Sequence, residues 1–282
     1  MNNSKIDYIN ECIREMMGLL EMADQSEMPF LQQDLNQETP FVTNHRAIRR
    51  AFTCGDAHCE SVITKDAIYQ QLALIDLFYS TNVHRMFQFG LEELRDEIWD
   101  LCASGTSVHT LGNLSRKLTA TAPLNIDIKA AFGKKYGYAS PTKQVSAPSL
   151  LSKYFHFVTI VCPTDNWGFP IYDSIVYKLL RRLQRFIGIP LTPDKFINQS
   201  LVTFDIDQYV DGLKRIIDAL ESRDPSLWNS SGWQKFALLD CFLWHIGKAG
   251  SGTHSSLLTK KEYISGVTPG RITKWATIYK TI

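Results

Sequence analysis

The chain has no long apolar run, no internal repeat, no low-complexity tract and no large excess of charge of one sign. None of its 282 residues belongs to a run approaching the roughly 18–20 apolar positions needed to span a bilayer, so no membrane association is expected. Met1-Asn2-Asn3-Ser4-Lys5 lacks the charged-then-apolar pattern of a secretion leader, which makes the cytoplasm the expected location. The six cysteines (12, 54, 59, 102, 162 and 241) show no disulfide-framework spacing and read as free thiols in a reducing compartment. Cys54 and Cys59, with His58 and His45 nearby, have no second Cys/His pair at zinc spacing, so no metal and no other cofactor is expected. Alternating strand patterns are missing as well, and the chain reads as all-α.

What is present is the composition of an ordinary globular protein, 44% hydrophobic and 21% charged. The length allows a sizeable core and fits two helical lobes around a shared cleft. The net charge of +1 hides an asymmetry. Residues 1–40 hold eight acidic and two basic residues, a balance of −6, so the remainder carries +7. A moderately basic body is compatible with a nucleic-acid partner.

Helical periodicity appears first in residues 1–24, where Ile6, Ile9, Ile13, Met16, Met17 and Leu20 share a face. Residues 25–60 read as an irregular connection. A helix over 64–80 buries Ile68, Leu72, Ile75 and Phe78, and Ser80, Thr81 and Asn82 are N-cap candidates for another over 83–102. Residues 103–149, rich in Gly, Ser, Thr, Pro and Lys, promise short helices at best. Further helices are expected over 150–161, 174–187, 207–222 and 233–246, followed by a polar, weakly patterned end. The implied organisation is an N-terminal helix and connection (1–60), a helical core (61–250) and a C-terminal extension (251–282).

The most informative feature is a lysine and an aspartate twenty residues apart, Lys153 in an apolar helical run and Asp173 after Phe169-Pro170-Ile171-Tyr172 at the head of the next helix. An amine and a carboxylate together can attack and stabilise an electrophilic sugar carbon. Asp173 reads equally as a helix N-cap, and Lys153 as a lysine whose stem lies on apolar surface. The helix after Asp173 has a wide apolar face and a stripe of Lys178, Arg181, Arg182 and Arg185 on the other side. That stripe is either a solvated face or a set of phosphate contacts.

Ala147-Pro148-Ser149-Leu150-Leu151-Ser152-Lys153, with Pro170-Ile171-Tyr172-Asp173 following, resembles the helix-hairpin-helix DNA glycosylases, the superfamily of 8-oxoguanine DNA glycosylase and endonuclease III. In that family a Leu-Pro-Gly-Val-Gly-Thr-Lys hairpin precedes a helix, and a Val-Pro-Val-Asp turn begins the next. Pro148 matches the hairpin proline, Ser152 the threonine, Lys153 the Schiff-base lysine and Asp173 the essential carboxylate, with one residue inserted before it. A second stretch, Leu77 to Met86, is similar to the loop that invades the duplex. There Asn82 and Arg85 match an asparagine and the arginine facing the orphaned base, and Ser80 stands at the space-filling asparagine. Ser149 and Leu151 replace both hairpin glycines, and neither the iron–sulfur cysteines nor the N-terminal β domain has a counterpart.

The resemblance implies a DNA glycosylase that flips a damaged or modified base, including hypermodified phage bases, out of double-stranded DNA and cleaves its N-glycosidic bond. Asp173 would act electrostatically and as a base. Lys153, given a lowered pKa, would add lyase chemistry. Ser80, Thr81, Asn82, Arg85 and the basic stripe would contact DNA. The flipped base would find aromatic or polar walls among Tyr79, Phe155, His156, Tyr172, Phe236 and Trp244. A catalytically silent reader of modified DNA and a helical protein-interaction domain are the competing classes.

Overall fold

A computed structural model describes residues 2–25, 48, 50–52, 59–79, 90–104, 106–119, 123–138, 143–145, 147–192, 205–229, 233–250 and 269–282. Helix dominates. In chain order the elements are α1 (Asn3–Gln25), α2 (Lys65–Tyr79), α3 (Gly90–Leu101), β1 (Ala103–Ser104), β2 (Thr106–His109), α4 (Leu111–Lys117), α5 (Ile126–Gly133), β3 (Tyr136–Tyr138), β4 (Lys143–Val145), α6 (Pro148–Val161), α7 (Ser174–Ile187), α8 (Ile206–Glu221), α9 (Pro225–Asn229), α10 (Lys235–Gly250) and α11 (Pro269–Thr281). Two compact units divide the chain. One, here the terminal unit, comprises Met1–Ala47, Asp173–Leu191 and Gly212–Ile282; the other, the middle unit, comprises Ile48–Tyr172 and Thr192–Asp211. This differs from the expected three consecutive segments, because α1 and α11 pack with α7 and α10 and are not appendages.

In the terminal unit, Ile6, Ile9, Ile13, Met16 and Met17 bury the expected face of α1. Asn10 interrupts that face and is satisfied there. Its Nδ2 donates to the Leu220 carbonyl at 2.8 Å, and its Oδ1 accepts from the Trp228 indole at 3.0 Å. Replacing it with an apolar residue would strand two buried groups, at about 1–3 kcal/mol each. α10 approaches α7 closely at Gly247, where a Cβ would fall 2.1 Å from Ile175 Cγ2. The polar C-terminal end hides a helix of its own: Ile272, Trp275 and Ile278 at a three-residue spacing bury one side of α11. Exposed ion pairs, Arg223 to Asp7 and Lys274 to Glu15, decorate the unit and contribute little individually.

The middle unit corrects the reading of residues 103–149. It contains two antiparallel hairpins, β1 with β2 and β3 with β4, separated by α4 and α5. The strands are two to four residues long, too short to generate a recognisable alternation. Side chains close them: Asn113 Nδ2 donates to the Cys102 and Val108 carbonyls at 3.1 Å, while Thr110 caps α4. An aromatic core of Phe132, Phe155 and Phe169 fills the centre with edge-to-face and stacked rings. A buried relay runs from the Tyr154 hydroxyl to Gln71 Oε1 at 2.7 Å, and from Gln71 Nε2 to the Ala51 carbonyl at 3.1 Å.

The free-thiol expectation fails for two of the six cysteines. Cys59 and Cys162, 103 residues apart in sequence, are disulfide-bonded with Cα atoms 5.4 Å apart, while Cys12, Cys102 and Cys241 are free thiols. Spacing does not reveal the pair because the fold, not local sequence, brings residue 59 to the end of α6. The other members of the candidate metal cluster, His45, Cys54 and His58, lie outside the described residues. Among the described residues no helix is long and apolar enough to cross a membrane.

Candidate active site

α6 carries Lys153 and is buried on almost every side. Leu150, Leu151, Tyr154, Phe155, Phe157 and Val158 are fully enclosed, and so, nearly, are Ser152, Lys153, His156 and Thr159. Buried polar side chains require partners. Three of these find theirs in one segment, Phe169 to Tyr172.

That segment has no regular secondary structure and belongs to no sheet. It follows a turn in which Asp165 Oδ1 accepts from the amides of Trp167 (2.9 Å) and Gly168 (3.2 Å), with Gly168 at φ 69°. Pro170 has no N–H and disfavours a helical conformation at Phe169. Thr159 Oγ1 accepts from the Phe169 amide at 3.0 Å, and His156 Nδ1 meets the Phe169 carbonyl at 3.0 Å. Ser152 Oγ accepts from the Tyr172 amide at 2.8 Å, and the Tyr209 hydroxyl donates to the Ile171 carbonyl at 2.7 Å. The hydroxyls of Ser152 and Thr159 return their protons to the helix, at the Ser149 and His156 carbonyls. Side chains therefore do for this strap what a neighbouring strand would do in a sheet.

The chemistry of His156 follows. A carbonyl only accepts, so Nδ1 must carry the proton and Nε2 the lone pair. Burial pushes its pKa down to about 4, with the Phe169 hydrogen bond opposing, and the ring is neutral at ordinary pH. Lys153 is 5% exposed, and its Nζ donates to Ser149 Oγ at 3.1 Å, one turn back on the same helix. Ser149 occupies a place where the glycosylase hairpin has glycine.

Asp173 comes directly after the strap, at the point where the chain passes from the middle to the terminal unit. Its backbone is extended (φ −128°, ψ 142°), and Oδ1 accepts from the Ile175 amide at 2.7 Å, capping α7. Among the described residues Oδ2 takes no hydrogen bond. The N-cap role is thus realised through one of the two carboxylate oxygens.

The remaining expected site residues separate into groups. Ser80, Thr81, Asn82 and Arg85 lie outside the described residues; Tyr79 ends α2 immediately before them. In the basic stripe Lys178 and Arg185 are exposed and Arg181 is half-buried, but Arg182 is engaged. Its guanidinium donates to the Tyr279 carbonyl at 2.6 Å and lies 4.4 Å from the Tyr279 ring centre, fastening α7 to α11. Phe155 and Phe236, expected at a base pocket, are core residues at 0% and 1% exposure. His156 is a latch for the strap. Tyr172 is half-buried with its ring edge-on to Tyr209, and Trp244 is half-buried under the Lys248 ammonium. Phe155, His156 and Tyr172 belong to the middle unit, Phe236 and Trp244 to the terminal unit.

The hairpin expectation also needs correction. Pro148 opens α6 directly, so Ser149 and Leu151 are helical, and the element before α6 is β4, not a helix. That helical conformation does not call for the positive φ that glycine allows. No protein-family model matches the sequence, and no curated protein and no solved structure matches it.

Proposed function

We propose that the protein is a DNA glycosylase that excises a damaged or modified base, with Asp173 as the indispensable carboxylate. One observation carries the reading furthest: the Ser152–Tyr172 hydrogen bond, which fastens the residue before Asp173 to the residue before Lys153. The motif resemblance supports the same assignment, and the basic residues Lys178 and Arg185 on α7 supply phosphate contacts. In the reaction the C1′–N bond breaks and cationic charge grows on the sugar. The Asp173 carboxylate stabilises that charge and accepts a proton from the attacking water, whose oxygen bonds C1′ while the departing base is protonated. Where the neutral Lys153 amine attacks instead, its nitrogen bonds C1′ as the base leaves, the C1′–O4′ bond opens with the amine proton passing to O4′, and the resulting iminium loses a C2′ proton as the 3′ phosphate is eliminated.

The test uses duplex DNA bearing a panel of modified bases, followed by alkaline cleavage of abasic sites. Strand breaks are expected from the wild type and should fall by at least about a hundredfold in Asp173→Asn, because the neutral amide keeps the cap but loses the charge. Borohydride trapping of a protein–DNA adduct, abolished by Lys153→Gln, identifies the lyase branch. Binding without breaks on every substrate would replace this reading with a silent DNA reader.

A further inference from the structure

Within that reading, we propose that Ser152, His156 and Thr159 are positioning residues for the catalytic carboxylate: they clamp the strap Phe169–Tyr172 along α6 and so fix where Asp173 begins. They stand at i, i+4 and i+7 on one stripe of a helix whose other buried residues, Lys153 apart, are apolar or aromatic. Their strap contacts are 2.8–3.0 Å long. Each strap group they satisfy is a backbone group with no strand to pair with, and Tyr209 holds the strap from α8 at the Ile171 carbonyl. A general packing role would not need polar side chains here; four apolar ones would fill the same volume. The arrangement instead fixes the register of the strap residue by residue, through two amides and two carbonyls.

The rigidity has a reason in the chemistry. A carboxylate that stabilises a developing cation acts best when held in advance, since reorientation during the reaction consumes part of the gain. The N-cap bond to Ile175 fixes the side chain of Asp173 on one side, and the clamp fixes the backbone that enters it. His156 contributes as a neutral donor through Nδ1. Asparagine presents its amide N–H near the same place, whereas leucine presents nothing, and this makes the role separable from mere volume.

The experiment compares Thr159→Val, Thr159→Ser, His156→Leu and His156→Asn in the full chain, with two readouts. The first is amide hydrogen exchange at Phe169 and Tyr172. Exchange at Phe169 should accelerate roughly tenfold or more in Thr159→Val and His156→Leu, and return towards wild type in Thr159→Ser and His156→Asn. The second is single-turnover excision with DNA affinity measured alongside. The rate should fall about tenfold or more in the two apolar variants at unchanged Kd, with recovery in the two conservative ones. Unchanged exchange in the apolar variants overturns the clamp itself. Accelerated exchange with wild-type excision rates overturns the positioning role while leaving the clamp. A wild type that excises no base from any substrate sinks the glycosylase reading and the positioning role with it, and the exchange data alone then decide whether the clamp exists.

Discussion

α6 and α7 are both fourteen residues long, and they are stabilised by opposite means. α7 carries its instructions in its own sequence. Asp173 caps its start, Gly188 in the left-handed conformation (φ 75°, ψ 38°) ends it, and apolar and basic residues sit on opposite faces. α6 has none of these. Ala147 gives it no side-chain cap, its end is Cys162, and polar residues are buried beside aromatic ones. What defines α6 is tertiary: a disulfide at one end, the strap along its flank and the aromatic core behind. A helix of the first kind is readable from a window of twenty residues. One of the second kind is readable only as an apolar run.

The largest effect that sharpens this contrast is on the disulfide. Closing a 103-residue loop restricts the unfolded chain, and the chain-entropy model puts the stabilisation at about 5 kcal/mol. Cys162→Ser, or reduction of the wild type, should lower the free energy of unfolding by an amount of that order in denaturant titrations. A comparable decrease on replacing Gly188 with alanine would break the contrast, since α7 would then depend as heavily on its terminus as α6 does.

A second test uses the two buried histidines. His156 on α6 bonds a carbonyl thirteen residues away, whereas His245 on α10 bonds the Cys241 carbonyl of its own helix at 2.7 Å. Burial lowers both to about 4, against an ordinary value near 6.5. Above about pH 6.5 both states are neutral and the full stability is present. As pH falls through that value the unfolded chain takes up protons that the folded rings refuse, and stability declines until about pH 4. Each histidine accounts for about 3 kcal/mol over that window. His156→Asn and His245→Asn should each flatten the slope between pH 6.5 and 5 by about half. Exchange at Phe169 should accelerate in His156→Leu and stay at the wild-type rate in any His245 variant.

The same contrast explains why some features are legible in the sequence and others are not. The helices over 150–161 and 174–187, the cap at Asp173 and the buried face of α1 are local patterns, and they are found. The short hairpins are local, but strands of two to four residues show no alternation, while the Cys59–Cys162 pair and the docking of the strap depend on residues distant in sequence, so periodicity has no access to them. Thr159 and Tyr209 escape notice as functional candidates for that reason. One signal is present: Ser152, His156 and Thr159 line a single stripe of an apolar helix, a pattern that implies backbone docked against it. Phe155 and Phe236 show the opposite error, aromatic residues assigned to a pocket that pack the core.

The smallest expected effect on stability concerns the outward side of α7 and separates the residues proposed to bind phosphate from structural ones. Lys178 and Arg185 are exposed, so replacing either with alanine should change unfolding free energy by less than about 0.5 kcal/mol. Arg182 holds the Tyr279 carbonyl and ring, and its removal should cost about 1–2 kcal/mol, because a charge-assisted hydrogen bond and a cation–π interaction go with it. DNA affinity should divide the three the other way. Freeing one phosphate from its protein cation lowers the salt dependence of log K by about 0.9, so Lys178→Ala with Arg185→Ala should flatten the slope by nearly two. Arg182→Ala should leave it unchanged, because a guanidinium committed to α11 neutralises no phosphate and releases no counterion from DNA. Equal slopes in all three proteins would return the stripe to a solvated helix face and move the DNA-binding surface elsewhere on the chain.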